Sequence, residues 1–420
     1  MTFVRRSMLL LGSAVFLAIL TPLSLAAQSA LASSAVSSAP ANPQPGNPRQ
    51  AYSLPPDKLA KAIALSRIEN ILAIAGSLWG IAVLWLLLAT RAAAQIEAWA
   101  IRTAGRRWVQ GILFFALFFV ITTLAGLPLD LYAHHVSRSF GISVQGWGSW
   151  FGDQAKSLAV TLLIGAPVLL LFNWIVRRWP RRYWFGVWLV SLPLILISVF
   201  AEPVLIDPLF NKFEPLQNNH AALVTKLELV VARTGIGQTK RFVMWDTATD
   251  RLPDDEVLFI FGHESGHYVL HHIPKGLAGG AVGLFFVYWA CSAFAAWLIR
   301  RFGVRWNAPD LASRTGFVVL LFAVSLAGFL LEPASNAFSR HFEHQADVYG
   351  QEAIHGIVPD PQKTTVAAFN DLGAAWLDDP SPSPFIEFWL YNHPSTQNRA
   401  NFAAHYDPWA NGGRGEFFSK

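Results

Sequence analysis

Cysteine is nearly absent: Cys291 stands alone in 420 residues, inside an apolar run. No intramolecular disulfide can form, and a metal held by a set of thiolates is excluded. Charge is scarce as well. Only 14% of residues are Asp, Glu, Lys or Arg, where a soluble globular chain carries about 25%. With 53% hydrophobic residues, the chain lacks the polar shell that a water-soluble protein of this length needs. The net charge of +5 comes from arginines gathered in short loops beside apolar stretches. That pattern sets membrane topology, whereas nucleic-acid binding would need a basic face on a folded domain. Length leaves room for two or three domains.

What the chain does have is apolar runs. Arg5 and Arg6 precede an apolar segment from Met8 to Ala27, with Ser24-Leu25-Ala26 as a small-x-small site. Residues 1–27 therefore fit either a signal peptide or a first membrane helix. Residues 28–56 are rich in Ser, Ala and Pro without hydrophobic periodicity and read as a flexible linker. Six further stretches approach or exceed the roughly 20 apolar residues that span a bilayer. They are Ile71–Thr90, Val109–Leu131, Leu158–Val176, Tyr183–Leu205, Leu277–Ile299 and Gly316–Leu331.

Arginines fill alternate connections. Arg91, Arg102, Arg106 and Arg107 lie in one, Arg177, Arg178, Arg181 and Arg182 in a second, and Arg300, Arg301, Arg305 and Arg314 in a third. The connection from Tyr132 to Lys156 is much poorer in Lys and Arg. The positive-inside rule makes the three Arg loops cytoplasmic and puts the long polar segments on the other side. The expected organisation is membrane helices in 57–206 and 277–334, and a catalytic domain assembled from 207–276 and 335–420.

The chemistry concentrates in Phe259-Ile260-Phe261-Gly262-His263-Glu264-Ser265-Gly266-His267. Residues four apart share one face of a helix, so His263 and His267 can present both imidazoles to one metal ion. Glu264 stands beside them, suited to take a proton from activated water. A catalytic zinc takes three protein ligands and leaves one position open. His271 would be one turn further along the same face, and three turns span about 12 Å of rise, too far for one ion. The third ligand is expected from Asn336–Asp347, a helix in which Glu343 and Asp347 are four apart. By spacing alone Glu343, His344 and Asp347 all compete for that place, and a carboxylate that does not ligate can hydrogen-bond a ligand imidazole.

These residues resemble the type I CAAX prenyl protease family of integral-membrane zinc proteases, over roughly 109–399. Besides the HExxH-type motif, the likeness includes Pro203-Val204-Leu205-Ile206-Asp207-Pro208-Leu209-Phe210-Asn211-Lys212-Phe213, Leu127–Tyr132, Lys240–Val243 with Asp246-Thr247, Ser339-Arg340, and His393-Pro394 with Arg399. The resemblance implies that Glu343 is the third zinc ligand and that Asp347 is its supporting neighbour or a proton donor. It also implies that His393 and Arg399 approach the scissile carbonyl, where both are suited to a developing oxyanion. The implied fold is mainly α, a polytopic bundle of about seven membrane spans enclosing a chamber, capped by a small α/β zinc-protease domain. The implied reaction is peptide hydrolysis with one zinc ion per chain, on peptide or protein substrates in contact with the lipid bilayer. One departure stands out. Members carry an Asn-Ala-Tyr-like strand before the Lys-Arg strand, but here Arg233-Thr234-Gly235-Ile236-Gly237 runs almost directly into Lys240-Arg241. Such a strand would hold an extended peptide, so an alternative expectation is a catalytically impaired, peptide-binding membrane module.

Overall fold

The computed structural model describes residues 51–210, 214–234, 244 and 249–418. The N-terminal apolar segment, the Ser/Pro-rich tract before residue 51, and Lys240–Val243 with Asp246-Thr247 lie outside these. Helices dominate: α1 Pro56–Ala89, α2 Ala92–Thr103, α3 Arg107–Ser139, α4 Trp147–Arg178, α5 Tyr183–Ala201, α6 Ala221–Thr234, α7 Asp254–Val269, α8 His272–Trp306, α9 Arg314–Ala353, α10 Pro361–Trp376, α11 Pro384–Leu390 and α12 Thr396–His405. Between α5 and α6, Glu202–Ile206 winds as a π-turn and Asp207–Phe210 as one helical turn.

Five of these helices, α1, α3, α4, α8 and α9, are long and apolar enough to cross a membrane, and Tyr183–Val199 of α5 is a shorter apolar helix. The six internal runs expected from sequence thus all fall on helices, and the seventh lies outside the described residues. The expected α/β cap is not found: among the described residues there is no strand, only an isolated bridge between His355 and Val358. The described parts of the polar segments are mostly helical, and the expected Lys240–Val243 strand lies outside the described residues.

The chain divides into two compact units. The first comprises Ile71–Lys212 and Gly276–Leu331. Its core is built from Leu84, Leu88, Phe114, Phe115, Phe118, Leu169, Phe172 and Val318–Leu321, all buried. Close approach of α3 and α4 depends on Gly165, where a Cβ would stand 2.4 Å from the Phe115 ring. Small residues at helix crossings serve this end in membrane proteins. Outward-facing Leu163, Ile197, Val282 and Phe286 are 59–77% exposed, a lipid-facing surface in a chain of this composition. Glu97 caps the start of α9 from another helix, accepting from the Arg314 and Thr315 amides at 3.0 and 2.9 Å. A helix N-terminus favours such a carboxylate because its first amides have no partner within the helix.

The second unit comprises the described part of Ala35–Asn70, Phe213–Lys275 and Glu332–Lys420. Helix α7 is its axis, packing on α6 and α10, and α10 packs on α12. Asp254, Asp255 and Glu256 fill the first turn of α7, where negative charge complements the helix dipole. From Val257 to His263 every residue is buried. Phe259 meets Phe369 of α10 edge to face at 5.2 Å, so truncating either ring would cost about 3–5 kcal/mol.

Candidate metal centre

Three features of the local sequence build the site within the second unit. Four-residue spacing puts His263 and His267 on one face of α7. Gly262 and Gly350 let α7 and α9 meet backbone to backbone: a Cβ on Gly262 would lie 3.1 Å from the Gly350 carbonyl oxygen, and one on Gly350 would lie 2.8 Å from the His263 nitrogen. The polar half of α9 then carries Glu343 and Asp347, one turn apart, up to the two imidazoles.

His263, His267 and Glu343 are all buried, and one donor atom from each lies within 4.8 Å of the others. His263 Nε2 is 3.3 Å from His267 Nε2 and 3.4 Å from Glu343 Oε2, while His267 Nε2 is 3.8 Å from Glu343 Oε1. An ion bound tetrahedrally at about 2.0–2.1 Å, the length of a zinc–imidazole bond, has ligand atoms roughly 3.3 Å apart. The imidazole pair and the His263 contact to Glu343 Oε2 match this value, and the other Glu343 oxygen stands 3.8 Å from His267, so this donor set fits a metal ion. Electrostatics agree. Burial favours the neutral form of His263, but the Asp347 and Glu343 carboxylates outweigh it and raise its affinity for positive charge. Negative charge focused on buried nitrogens favours any cation between them.

Supporting contacts surround the donors. His263 Nδ1 lies 2.8 Å from Asp347 Oδ1, the arrangement that orients a ligating imidazole. Arg399 of α12 grips the same carboxylate with both arms, Nε to Oδ2 at 2.8 Å and Nη2 to Oδ1 at 2.5 Å. Burial alone would raise the Asp347 carboxyl, but Arg399, with help from His263, holds it below the ordinary carboxylate range. The guanidinium also lies over the Phe369 ring, 4.6 Å from its centre. His393 Nε2 lies 3.1 Å from Glu343 Oε2. The segment carrying His393 is held by Arg340, which donates to the carbonyls of Glu387 and Tyr391, and by Asn336, which donates to Trp389 O at 2.6 Å. Ser395 then caps α12.

Every candidate residue from the sequence lies in this unit. His263, His267, Glu343, Asp347, His393 and Arg399 share one network, and Glu264 sits half-buried between the two α7 imidazoles in the chain. His344, which competed as a ligand by spacing, is exposed and turned edge-on to Phe402 at 4.5 Å. His271 does not continue the histidine face. Helix α7 stops at Val269, and His271 takes a left-handed conformation, φ 55°, exposed to solvent. The cause is Pro274, which has no amide to bond to the Leu270 carbonyl and so breaks a continuous helix. Sequence reasoning passed over His272 and Gln345. His272 Nδ1 lies 2.9 Å from His267 Nδ1, and its Nε2 lies 3.0 Å from Gln345 Oε1. Pro274 was the available signal, because a helix broken there no longer obeys the four-residue rule.

Known proteins resemble this chain over most of its length. A family described as "CAAX prenyl protease N-terminal, five membrane helices" matches residues 44–212, and peptidase family M48 matches residues 212–407. The uncharacterized metalloprotease YhfN of Bacillus subtilis (strain 168) is 31% identical over 372 residues, covering 83% of this chain and 86% of YhfN. CAAX prenyl protease 1 of Saccharomyces cerevisiae is 26% identical over 337 residues, 69% of this chain and 71% of that one. The crystal structure of S. mikatae Ste24p has the same fold, with a TM-score of 0.72 at 20% identity, over 95% of this chain and 99% of that one. The buried donor set, the membrane-capable helices and these likenesses agree that the chain is a multi-pass membrane protease belonging to peptidase family M48.

Proposed function

We propose that the chain is a zinc metalloendopeptidase that hydrolyses peptide bonds of membrane-associated or exported proteins. The observation that carries this reading is the buried trio of His263, His267 and Glu343, with one donor atom of each within 4.8 Å of the others and the two imidazole nitrogens 3.3 Å apart. Zinc held there would polarise the scissile carbonyl and lower the pKa of an attacking water from 15.7 to about 7. Glu264, beside the two imidazoles, would serve as the base that takes a proton from the attacking water and returns it to the leaving nitrogen. Asp347 accepts from His263 Nδ1–H and keeps that ring turned toward the ion, and Arg399 keeps Asp347 ionised and in place. His393 borders the Glu343 carboxylate and is suited to steady a developing oxyanion. The likeness to proteins named CAAX prenyl protease supports a membrane-associated protein substrate, and the three Arg loops favour a protease unit on the non-cytoplasmic side.

The test is Glu264→Gln in the purified, zinc-loaded full chain, assayed on a peptide library. Chelator-sensitive cleavage by the unsubstituted chain should vanish in the variant while zinc content stays stoichiometric. Undiminished cleavage by Glu264→Gln would sink the mechanism. Peptide binding without any cleavage by the unsubstituted chain would favour a binding module instead.

A further inference from the structure

A histidine can ligate a metal through Nε2 only if its proton sits on Nδ1, so something must fix that choice. For His263 the Asp347 carboxylate does so, because an ionised carboxylate only accepts. For His267 the neighbour is another imidazole, His272, which could equally donate or accept at the 2.9 Å Nδ1–Nδ1 contact. A donating His272 would push the His267 proton onto Nε2 and spoil the ligand. The ambiguity is resolved one step further out. Gln345 turns its Oε1, a carbonyl oxygen with no proton to give, toward His272 Nε2 at 3.0 Å. A neutral His272 in this contact carries its proton on Nε2 and presents a lone pair at Nδ1.

We propose that His272 is a positioning residue which, set by Gln345, holds the proton of His267 on Nδ1 and keeps His267 Nε2 available to the metal. The proposal rests on the metal reading of the site. The fold builds the relay at some cost. On an unbroken helix, residues five apart stand about 140° apart around the axis, so His272 would face away from His267. The break before Pro274 and the left-handed His271 swing it back. Phe342 of α9 then stacks on the His272 ring, with centres 4.4 Å apart and planes 6° from parallel. His272 is 3% exposed, so water cannot substitute as the acceptor.

A packing role and a relay role predict opposite outcomes for two substitutions. His272→Phe keeps the ring, its volume and its stack on Phe342, but removes the acceptor. His272→Asn loses the ring yet can place a carbonyl oxygen near the position of Nδ1. Zinc affinity of the full-length chain is measured by competition with a chromophoric chelator, and the cobalt(II)-substituted protein gives the visible ligand-field spectrum. His272→Phe should bind zinc about 10- to 100-fold more weakly and show an altered cobalt spectrum. His272→Asn should stay near the unsubstituted chain in both. A second pair leaves His272 intact: Gln345→Glu keeps the acceptor and zinc affinity, and Gln345→Met weakens it. The relay is overturned if His272→Phe or Gln345→Met binds zinc as tightly as the unsubstituted chain, or if His272→Asn falls as far as His272→Phe. An unsubstituted chain that binds no zinc overturns the metal reading itself, a distinguishable result.

Discussion

Replacing Gly350 by alanine asks whether the grip on the metal depends on backbone contact between α7 and α9. A Cβ there would stand 2.8 Å from the His263 nitrogen and 3.0 Å from the His263 Cα. Comfortable contacts between such atoms begin at about 3.5 Å. Both opposing atoms are backbone, so no rotamer relieves the clash, and the helices must part by roughly 0.5 Å or more. Two effects on stability then oppose each other. Alanine gains about 1 kcal/mol of helix propensity over glycine, and overpacking costs about 1–3 kcal/mol. Global stability should therefore fall by no more than about 2 kcal/mol. Metal binding has no such compensation. Ligand distances tolerate only about 0.2 Å, and Glu343 and Asp347 ride on α9 while both imidazoles ride on α7. Zinc affinity should drop about 10- to 100-fold, equivalent to about 1.4–2.8 kcal/mol. Chelator competition on the detergent-solubilised chain, with thermal unfolding recorded alongside, measures both quantities. Gly280→Ala is the control, since a Cβ there meets nothing within 4 Å. A Gly350→Ala chain that keeps full zinc affinity would refute the argument that this contact sets the ligand geometry.

Further predictions concern the surroundings. Arg399→Ala leaves the Asp347 carboxylate buried without its bidentate partner and should destabilise the zinc-free chain by about 3–5 kcal/mol; Arg399→Lys, which cannot fork, should recover only part of this in chemical denaturation. His271→Gly should be neutral or stabilising, because φ 55° costs a side-chain-bearing residue about 1–2 kcal/mol and glycine little; a clear fall in melting temperature would contradict that. Glu256, chiefly through burial and then through Asp371, has its carboxyl pushed up to about 8. The folded state then holds a proton that the unfolded chain releases near about 4.3, so this group makes stability decline as pH rises from about 4.3 to 8. Glu256→Gln should flatten that slope, and a melting temperature that falls equally with pH in both chains would count against it.

The membrane helices are legible because their signal is local. A run of apolar residues long enough to cross a bilayer states its own environment, whatever it packs against. The pairing of His263 with His267, and of Glu343 with Asp347, is legible for a similar reason, since each pair is one turn of one helix. Even the stop after Val269 is written in Pro274, although reading it requires knowing that the break redirects His272 onto His267. Other features have no local signature. Spacing could not choose among Glu343, His344 and Asp347, because the choice depends on which face of α9 meets α7. That face is set by Gly262 and Gly350, glycines whose meaning appears only when the two backbones are in contact. Likewise, nothing near Arg399 announces that its guanidinium will close on a carboxylate 52 residues earlier. Sequence alone therefore determined where the long apolar helices form and which side chains stand side by side along one turn. Tertiary structure alone decided which donor atoms converge and in what protonation pattern, because those depend on tenths of an ångström between segments distant in the chain.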